Sequence, residues 1–197
     1  MSLEFNSRLN DIPVYPAAET YSFDGDLVKL ASNETPWPPH PQVLEAVEAR
    51  LRTLNRYPDP TNSALRRSIA DRTGLPSGRV AVGNGSCEIL LAAAEAMLEP
   101  GAELIYAWPS FSMYPHLAAM SGARGITVPL DGDGLHDLQA MAREVTHATR
   151  IVIVCNPNNP TATALAPEAL DDFVAELPRH VYLRDAVKLR RDLEGAQ

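Results

Sequence analysis

The sequence predicts an α/β protein with a mostly parallel sheet flanked by helices, and three observations carry that expectation. From residue 79 onward, short apolar runs alternate with segments of helix length. The run Ile151-Val152-Ile153-Val154 is β-branched throughout with no polar position, the pattern of a strand covered on both faces. Glycine or proline marks the junctions, at Pro100-Gly101, Gly122 and Pro167, as short connections between packed layers require.

Residues 1–26 are mixed and turn-rich, with Pro13 and Pro16, and read as an arm. Leu27-Val28-Lys29-Leu30-Ala31 reads as a short strand, so arm and first strand together occupy residues 1–40. Asn33 to Pro39 contains Pro36, Pro38 and Pro39, which fix the backbone and hold the stretch irregular. Residues 41–54 open with a proline in the first turn and repeat Val43, Leu44, Val47, Leu51 and Leu54 on one helical face. Residues 62–73 place Leu65, Ile69 and Ala70 in the same way and stop at Gly74; Arg56-Tyr57-Pro58-Asp59-Pro60 forms a rigid loop between the two helices. Strands at 80–82, 103–107, 125–130, 150–155 and 181–183 then alternate with helices at 86–98, 111–121, 135–144 and 167–177. Such alternation implies right-handed crossovers and a ligand site at the carboxyl ends of the strands. Residues 41–183 therefore read as one sheet-based domain and residues 184–197 as a charged, helical tail.

The charge balance narrows the function classes. Lys and Arg number 17 against 25 Asp and Glu, a net charge of −8, which argues against a nucleic-acid binder or a polybasic membrane binder. Only two of the basic residues are lysines, Lys29 and Lys188. Cys87 and Cys155 stand far apart without metal-ligand spacing, so neither a disulfide framework nor a metal site is indicated. His40, His116, His136, His147 and His180 are scattered, none in a triad pattern, and read as surface or core residues. With no signal-peptide pattern and no apolar run near ~18 residues, the expected setting is the cytoplasm.

Three segments carry chemistry. Gly83-Asn84-Gly85-Ser86-Cys87-Glu88 joins a strand to a helix start. Glycine allows close backbone approach, and the first helical N–H groups, with the positive dipole end behind them, form a cradle for phosphate. The plainer reading of the same turn makes Ser86 an N-cap with Glu88 in the first turn. Trp108-Pro109-Ser110-Phe111-Ser112-Met113-Tyr114 follows the next strand, where an aromatic ring either stacks on a planar ligand or packs in the core. Asn156-Pro157-Asn158-Asn159-Pro160-Thr161 follows the most hydrophobic strand, and its two Asn-Pro steps hold asparagine amides rigidly at a strand end, where they can donate to a ligand oxygen.

These segments, in this order, resemble the fold-type I aminotransferases that use pyridoxal 5′-phosphate, and among them the histidinol-phosphate aminotransferases. The resemblance spans Val14 to Val181. It implies that Gly85, Ser86 and Cys87 hold the cofactor phosphate, that Tyr114 offers the face on which the pyridine ring stacks, and that Asn159 bonds the ring's 3′ oxygen. It also implies that Tyr57, in Arg56-Tyr57-Pro58-Asp59, reaches the phosphate of a neighbouring subunit, making the enzyme a homodimer. Tyr15 in the arm and Asn33 in Asn33-Glu34-Thr35-Pro36 would face the substrate. The implied partners are a small-molecule amino donor, L-histidinol phosphate, and 2-oxoglutarate, as in histidine biosynthesis.

The family's later motifs find no match. Asp185-Ala186 is the single remnant of its Asp-Glu-Ala-Tyr segment. Lys188 lacks the preceding serine and the following glycines of the Ser-Lys-x-x-Gly segment, and Lys29 precedes all the cofactor motifs. The Schiff-base lysine is therefore read as absent and no catalytic residue is assigned. The fold implied is a partial fold-type I large domain, its C-terminal part absent, inactive alone. The alternative is a non-catalytic relative that binds pyridoxal phosphate or phosphate as an interaction module.

Overall fold

A computed structural model describes residues 33–185 and, before them, residues 7, 10, 12, 24, 25 and 28. The expected strand at 27–31 and most of the arm, Tyr15 and Lys29 included, lie outside the described residues, as does Lys188. The described residues fall into two compact units, one within Val14–Ser63 and the other running from Ala64 onward and taking in the described residues before Val14.

The first unit carries helix α1 (Pro41–Leu51). Proline stands in its first turn, and His40 Nδ1 accepts from the Gln42 N–H at 3.3 Å. The apolar stripe read from the sequence is present, but Val43, Leu44, Val47, Leu51 and Leu54 are all exposed and no residue of α1 is buried. Helix α2 (Ser63–Thr73) begins at the unit boundary and stops at Gly74, whose φ of +70° is the left-handed conformation that ends a helix cheaply only at glycine.

The second unit is built on a four-stranded, wholly parallel sheet. Its strands are β1 (Glu103–Trp108), β2 (Arg124–Pro129), β3 (Thr149–Val154) and β4 (Tyr182–Asp185), in the spatial order β2-β1-β3-β4. Ile105 sits level with Ile126 on one side and Val152 on the other. Helices α3 (Gly85–Met97), α4 (Met113–Ser121), α5 (Leu138–Arg143) and α6 (Pro167–Glu176) connect and cover the strands.

The alternation of side chains along a strand divides the core in two. Leu104, Tyr106, Ile151 and Ile153 meet Leu90 and Ala94 of α3 and Leu117 of α4. Ile105, Ala107, Val152 and Val154 meet Met141 of α5 and Leu170 and Phe173 of α6. The expectation of a doubly covered strand at 151–154 is thus met, with β3 between β1 and β4. At the amino end of β1, buried Glu103 accepts from the hydroxyls of Thr146 (2.5 Å) and Thr149 (3.1 Å) and lies 3.6 Å from the exposed Arg124 guanidinium.

Several sequence boundaries shift. Val80-Ala81-Val82 is no strand: Val80 is extended, but no described strand lies beside it to complete a ladder. Helix α5 starts at Leu138 rather than 135, because Asp137 takes the cap, accepting from the Ala140 N–H at 2.8 Å, and His136 pairs with Leu130 in a bridge. The charged tail expected from 184 gives up Arg184 and Asp185 to β4, and its remainder lies outside the described residues. No helix among the described residues is long and apolar enough to cross a membrane.

Candidate functional site

Connectivity places the start of α3 at the carboxyl end of the sheet. Helix α3 ends at Met97 and β1 begins at Glu103, so the two run antiparallel across a short turn. Thirteen helical residues and six strand residues both span about 20 Å, which brings the first turn of α3 level with the end of β1. Asn84 precedes that turn without capping it through its side chain. Its backbone N–H instead donates to the Glu88 carboxylate, and its Nδ2 donates to the same oxygen at 2.9 Å. The structure therefore separates the two readings of Ser86. It lies inside the helix rather than at the N-cap, it is exposed, and its hydroxyl has no partner among the described residues.

The glycines shape this turn differently. A Cβ at Gly83 would lie 3.0 Å from Ile89 Cδ1 and 3.1 Å from Glu88 Oε2, so a larger residue there would have to push the ends of these two α3 side chains aside. Gly85 has φ +78° and open space where its side chain would stand. An open hollow lined by uncapped helical N–H groups and a free hydroxyl fits a phosphate. Half-buried Cys87 offers the backbone N–H of the same turn.

The two other loops meet directly at this edge. Asn158, 2% exposed, accepts at Oδ1 from Ser110 Oγ (2.7 Å) and lies 3.2 Å from His136 Nε2 through the same atom. Its Nδ2 donates to the Pro109 carbonyl (3.2 Å) and to Thr161 Oγ1 (2.8 Å). Asn156, equally buried, ties the start of the turn to Leu165, accepting from its N–H at 2.9 Å. The peptide bonds before Pro109, Pro157 and Pro160 are cis. Directly after these two fixed asparagines, Asn159 is half-buried, and its amide has no hydrogen-bond partner among the described residues.

Tyr114 is buried in the core, with ring centroids 5.9 Å from Tyr106 and 5.7 Å from Phe111, the latter edge-on at 83°. Phe111, one turn earlier, is half-buried at the loop itself. His136 escaped the sequence reading as a site residue. It is 4% exposed, its Nδ1 has no partner among the described residues, and burial pushes its basicity below the ordinary histidine range against a smaller opposing contribution from Asn158. A lone histidine before a helix cap gives no sequence signal of such burial.

Tyr57 and Asn33 belong to the other unit. Tyr57 is wholly exposed; Asn33 is exposed in the left-handed region at φ +51°. The Tyr57 loop is braced by Asp59, whose carboxylate accepts from the Ser63 hydroxyl (2.6 Å) and N–H (2.8 Å) and from the Thr61 hydroxyl (2.6 Å) and N–H (2.9 Å). The Ser63 hydroxyl foremost, then Thr61, hold this carboxyl well below the usual carboxylate range.

The description "Aminotransferase class I and II" matches residues 25–184. The chain belongs to that family. An aromatic amino acid aminotransferase of Thermobifida fusca (strain YX) is 46% identical over 176 residues, covering 89% of this chain and 49% of that protein. Histidinol-phosphate aminotransferase 1 of Nitrosococcus oceani is 41% identical over 169 residues, covering 86% and 45%. In fold, this aminotransferase chain is similar to histidinol-phosphate aminotransferase from Sinorhizobium meliloti, solved in complex with pyridoxal-5′-phosphate, with a TM-score of 0.84 at 24% identity over 94% of this chain and 51% of that one. The chain spans about half the length of the curated relatives it matches.

Proposed function

We propose that this chain carries the cofactor cradle of a pyridoxal-phosphate-dependent aminotransferase that moves an amino group between an amine donor and a 2-oxo acid. The observation that carries this reading is the uncapped first turn of α3, with Gly85 open in front of it and the Ser86 hydroxyl free. When bound, the cofactor supplies an electron sink for chemistry at the substrate carbon. Ser86 Oγ and the backbone N–H groups of Ser86 and Cys87 hold its phosphate. The Asn159 amide, unpartnered among the described residues, donates to the 3′ oxygen of its ring. The stacking face passes from Tyr114 to Phe111, because Tyr114 is enclosed by the core while Phe111 remains partly open. Tyr57 contacts the phosphate held by a second copy, in a homodimer, and Tyr15 and Asn33 face the substrate.

The donor is L-histidinol phosphate, with 2-oxoglutarate as acceptor. An aromatic L-amino acid is the second reading, favoured by the 46% identity to an aromatic amino acid aminotransferase. Neither Lys29 nor Lys188 stands in the family's lysine motif, so this chain alone holds the cofactor without a covalent bond and does not transaminate.

The test is a pyridoxal phosphate titration followed by borohydride reduction. Ser86→Ala weakens binding by about 10–100-fold, the worth of one hydrogen bond to a charged group, and reduction leaves no adduct on either lysine. Unchanged affinity in the Ser86→Ala variant refutes the cradle; a covalent adduct, or turnover of either amine, refutes the non-catalytic state.

A further inference from the structure

Asn158 is held by groups that leave its amide one orientation. The Pro109 carbonyl only accepts, so the atom 3.2 Å from it is the amide nitrogen. Oδ1 then faces Ser110 Oγ and His136 Nε2, and an oxygen acceptor requires donors on both. His136 must therefore carry its proton on Nε2. Its buried, unpartnered Nδ1 is left as a bare lone pair, since an N–H there would find nothing to accept it. The lowered basicity of the ring agrees with a neutral imidazole.

We propose that His136 is a positioning residue: as the Nε2–H tautomer it clamps the Asn158 amide and thereby sets the turn that carries Asn159. Asn158 sits at the junction of three segments, the loop after β1 through Pro109 and Ser110, the stretch before α5 through His136, and its own turn through Thr161. The same turn is closed by the Asn158 N–H to the Thr163 carbonyl (2.8 Å) and the Ala162 N–H to the Asn158 carbonyl (2.7 Å). Thr161 and Thr163 also reach the Gly134 carbonyl, two residues before His136, so the histidine and the turn are fastened at two points. The effect on cofactor affinity rests on the proposed role of Asn159; the clamp itself does not.

The experiment uses the 197-residue chain with His136→Gln, His136→Asn and His136→Leu. A glutamine amide nitrogen reaches the position of Nε2, whereas that of asparagine stands nearer Nδ1. Nitrogen-15 NMR of the wild-type ring gives a protonated Nε2 and a bare Nδ1. Amide exchange at Asn158 and Ala162 rises about tenfold in the Asn and Leu variants, the worth of one lost hydrogen bond, and stays near wild type in the Gln variant. Pyridoxal phosphate affinity follows the same order, while inorganic phosphate affinity, which reports the α3 cradle alone, is the same in all four proteins. A proton on Nδ1, wild-type exchange in the Leu variant, or a Gln variant no better than Asn overturns the clamp. The Gln and Asn pair decides even where the Leu variant does not fold. A wild-type chain that takes up no pyridoxal phosphate overturns the proposed function instead, and the exchange measurement then judges the clamp by itself.

Discussion

Replacing Asn158 by alanine removes four hydrogen bonds at once, and their surroundings set the cost. Two partners are buried: Ser110, 6% exposed, and His136, 4% exposed. Each is left with a donor that water cannot reach, a penalty of about 1–3 kcal/mol apiece. The other two partners, the Pro109 carbonyl and the Thr161 hydroxyl, belong to exposed residues and rehydrate at little cost. The expected loss is thus about 2–6 kcal/mol, a large share of the roughly 5–15 kcal/mol that holds an ordinary domain together. Asn159→Ala is the internal control. It removes the same chemical group one residue along the chain, from a half-buried site with no partner to abandon, so its cost stays within about 0.5 kcal/mol. Guanidinium unfolding followed by circular dichroism reads both, with an unchanged slope confirming that the two variants unfold from the same state. Equal costs for the two substitutions, or an Asn158→Ala loss below about 1 kcal/mol, would refute the account of the network.

Two further outcomes follow from the hydrogen-bond geometry. Glu103→Ala costs about 1–3 kcal/mol by orphaning the fully buried Thr149 hydroxyl, while Arg124→Ala costs less than about 0.5 kcal/mol because its guanidinium is 75% exposed; comparable losses in a denaturant melt would show that the ion pair, not the hydroxyls, anchors β1. Asp59 is depressed in the folded state, so its stabilisation of the α2 start is present above the ordinary carboxylate range and fades as pH falls through the lowered value. NMR titration should find it still ionised below the ordinary carboxylate range, and Asp59→Asn should speed amide exchange at Ser63 at neutral pH; an ordinary midpoint for Asp59 would refute the brace.

The sheet was legible in the sequence because its strands β1 and β3 are buried on both faces and so consist largely of apolar runs, clearest at Ile151–Val154. Helix starts were legible where a proline fixes them, as at Pro41 and Pro167, whereas the Asp137 cap that sets the start of α5 was not. The misread stretch at 80–82 has the composition of a strand, but a ladder also requires a neighbour, and composition does not report one. The site divides in the same way. The loops bearing Ser86 and Asn159 were legible as special backbone because glycine and proline mark them. The resemblance points to Tyr114 for the stacking face; that its ring is buried while that of Phe111, three residues away, is half-buried is something no local pattern encodes. His136 was missed for the same reason: its importance lies in a contact with Asn158, 22 residues away, that no local pattern encodes.

Tyr57 completes the physical picture of how the site residues are presented. A wholly exposed tyrosine has ordinarily no reason to be stiffly held, because nothing on its own chain rewards the order. Here the chain just beyond the tyrosine is fixed, by Pro58 and Pro60 in the backbone and by four hydrogen bonds into the Asp59 carboxylate. A loop ordered in advance gives up less conformational freedom when its tip meets a partner, so each contact made there counts more fully toward affinity. Such a loop suits a residue whose partner lies on another molecule, and that is the arrangement the proposed homodimer requires of Tyr57.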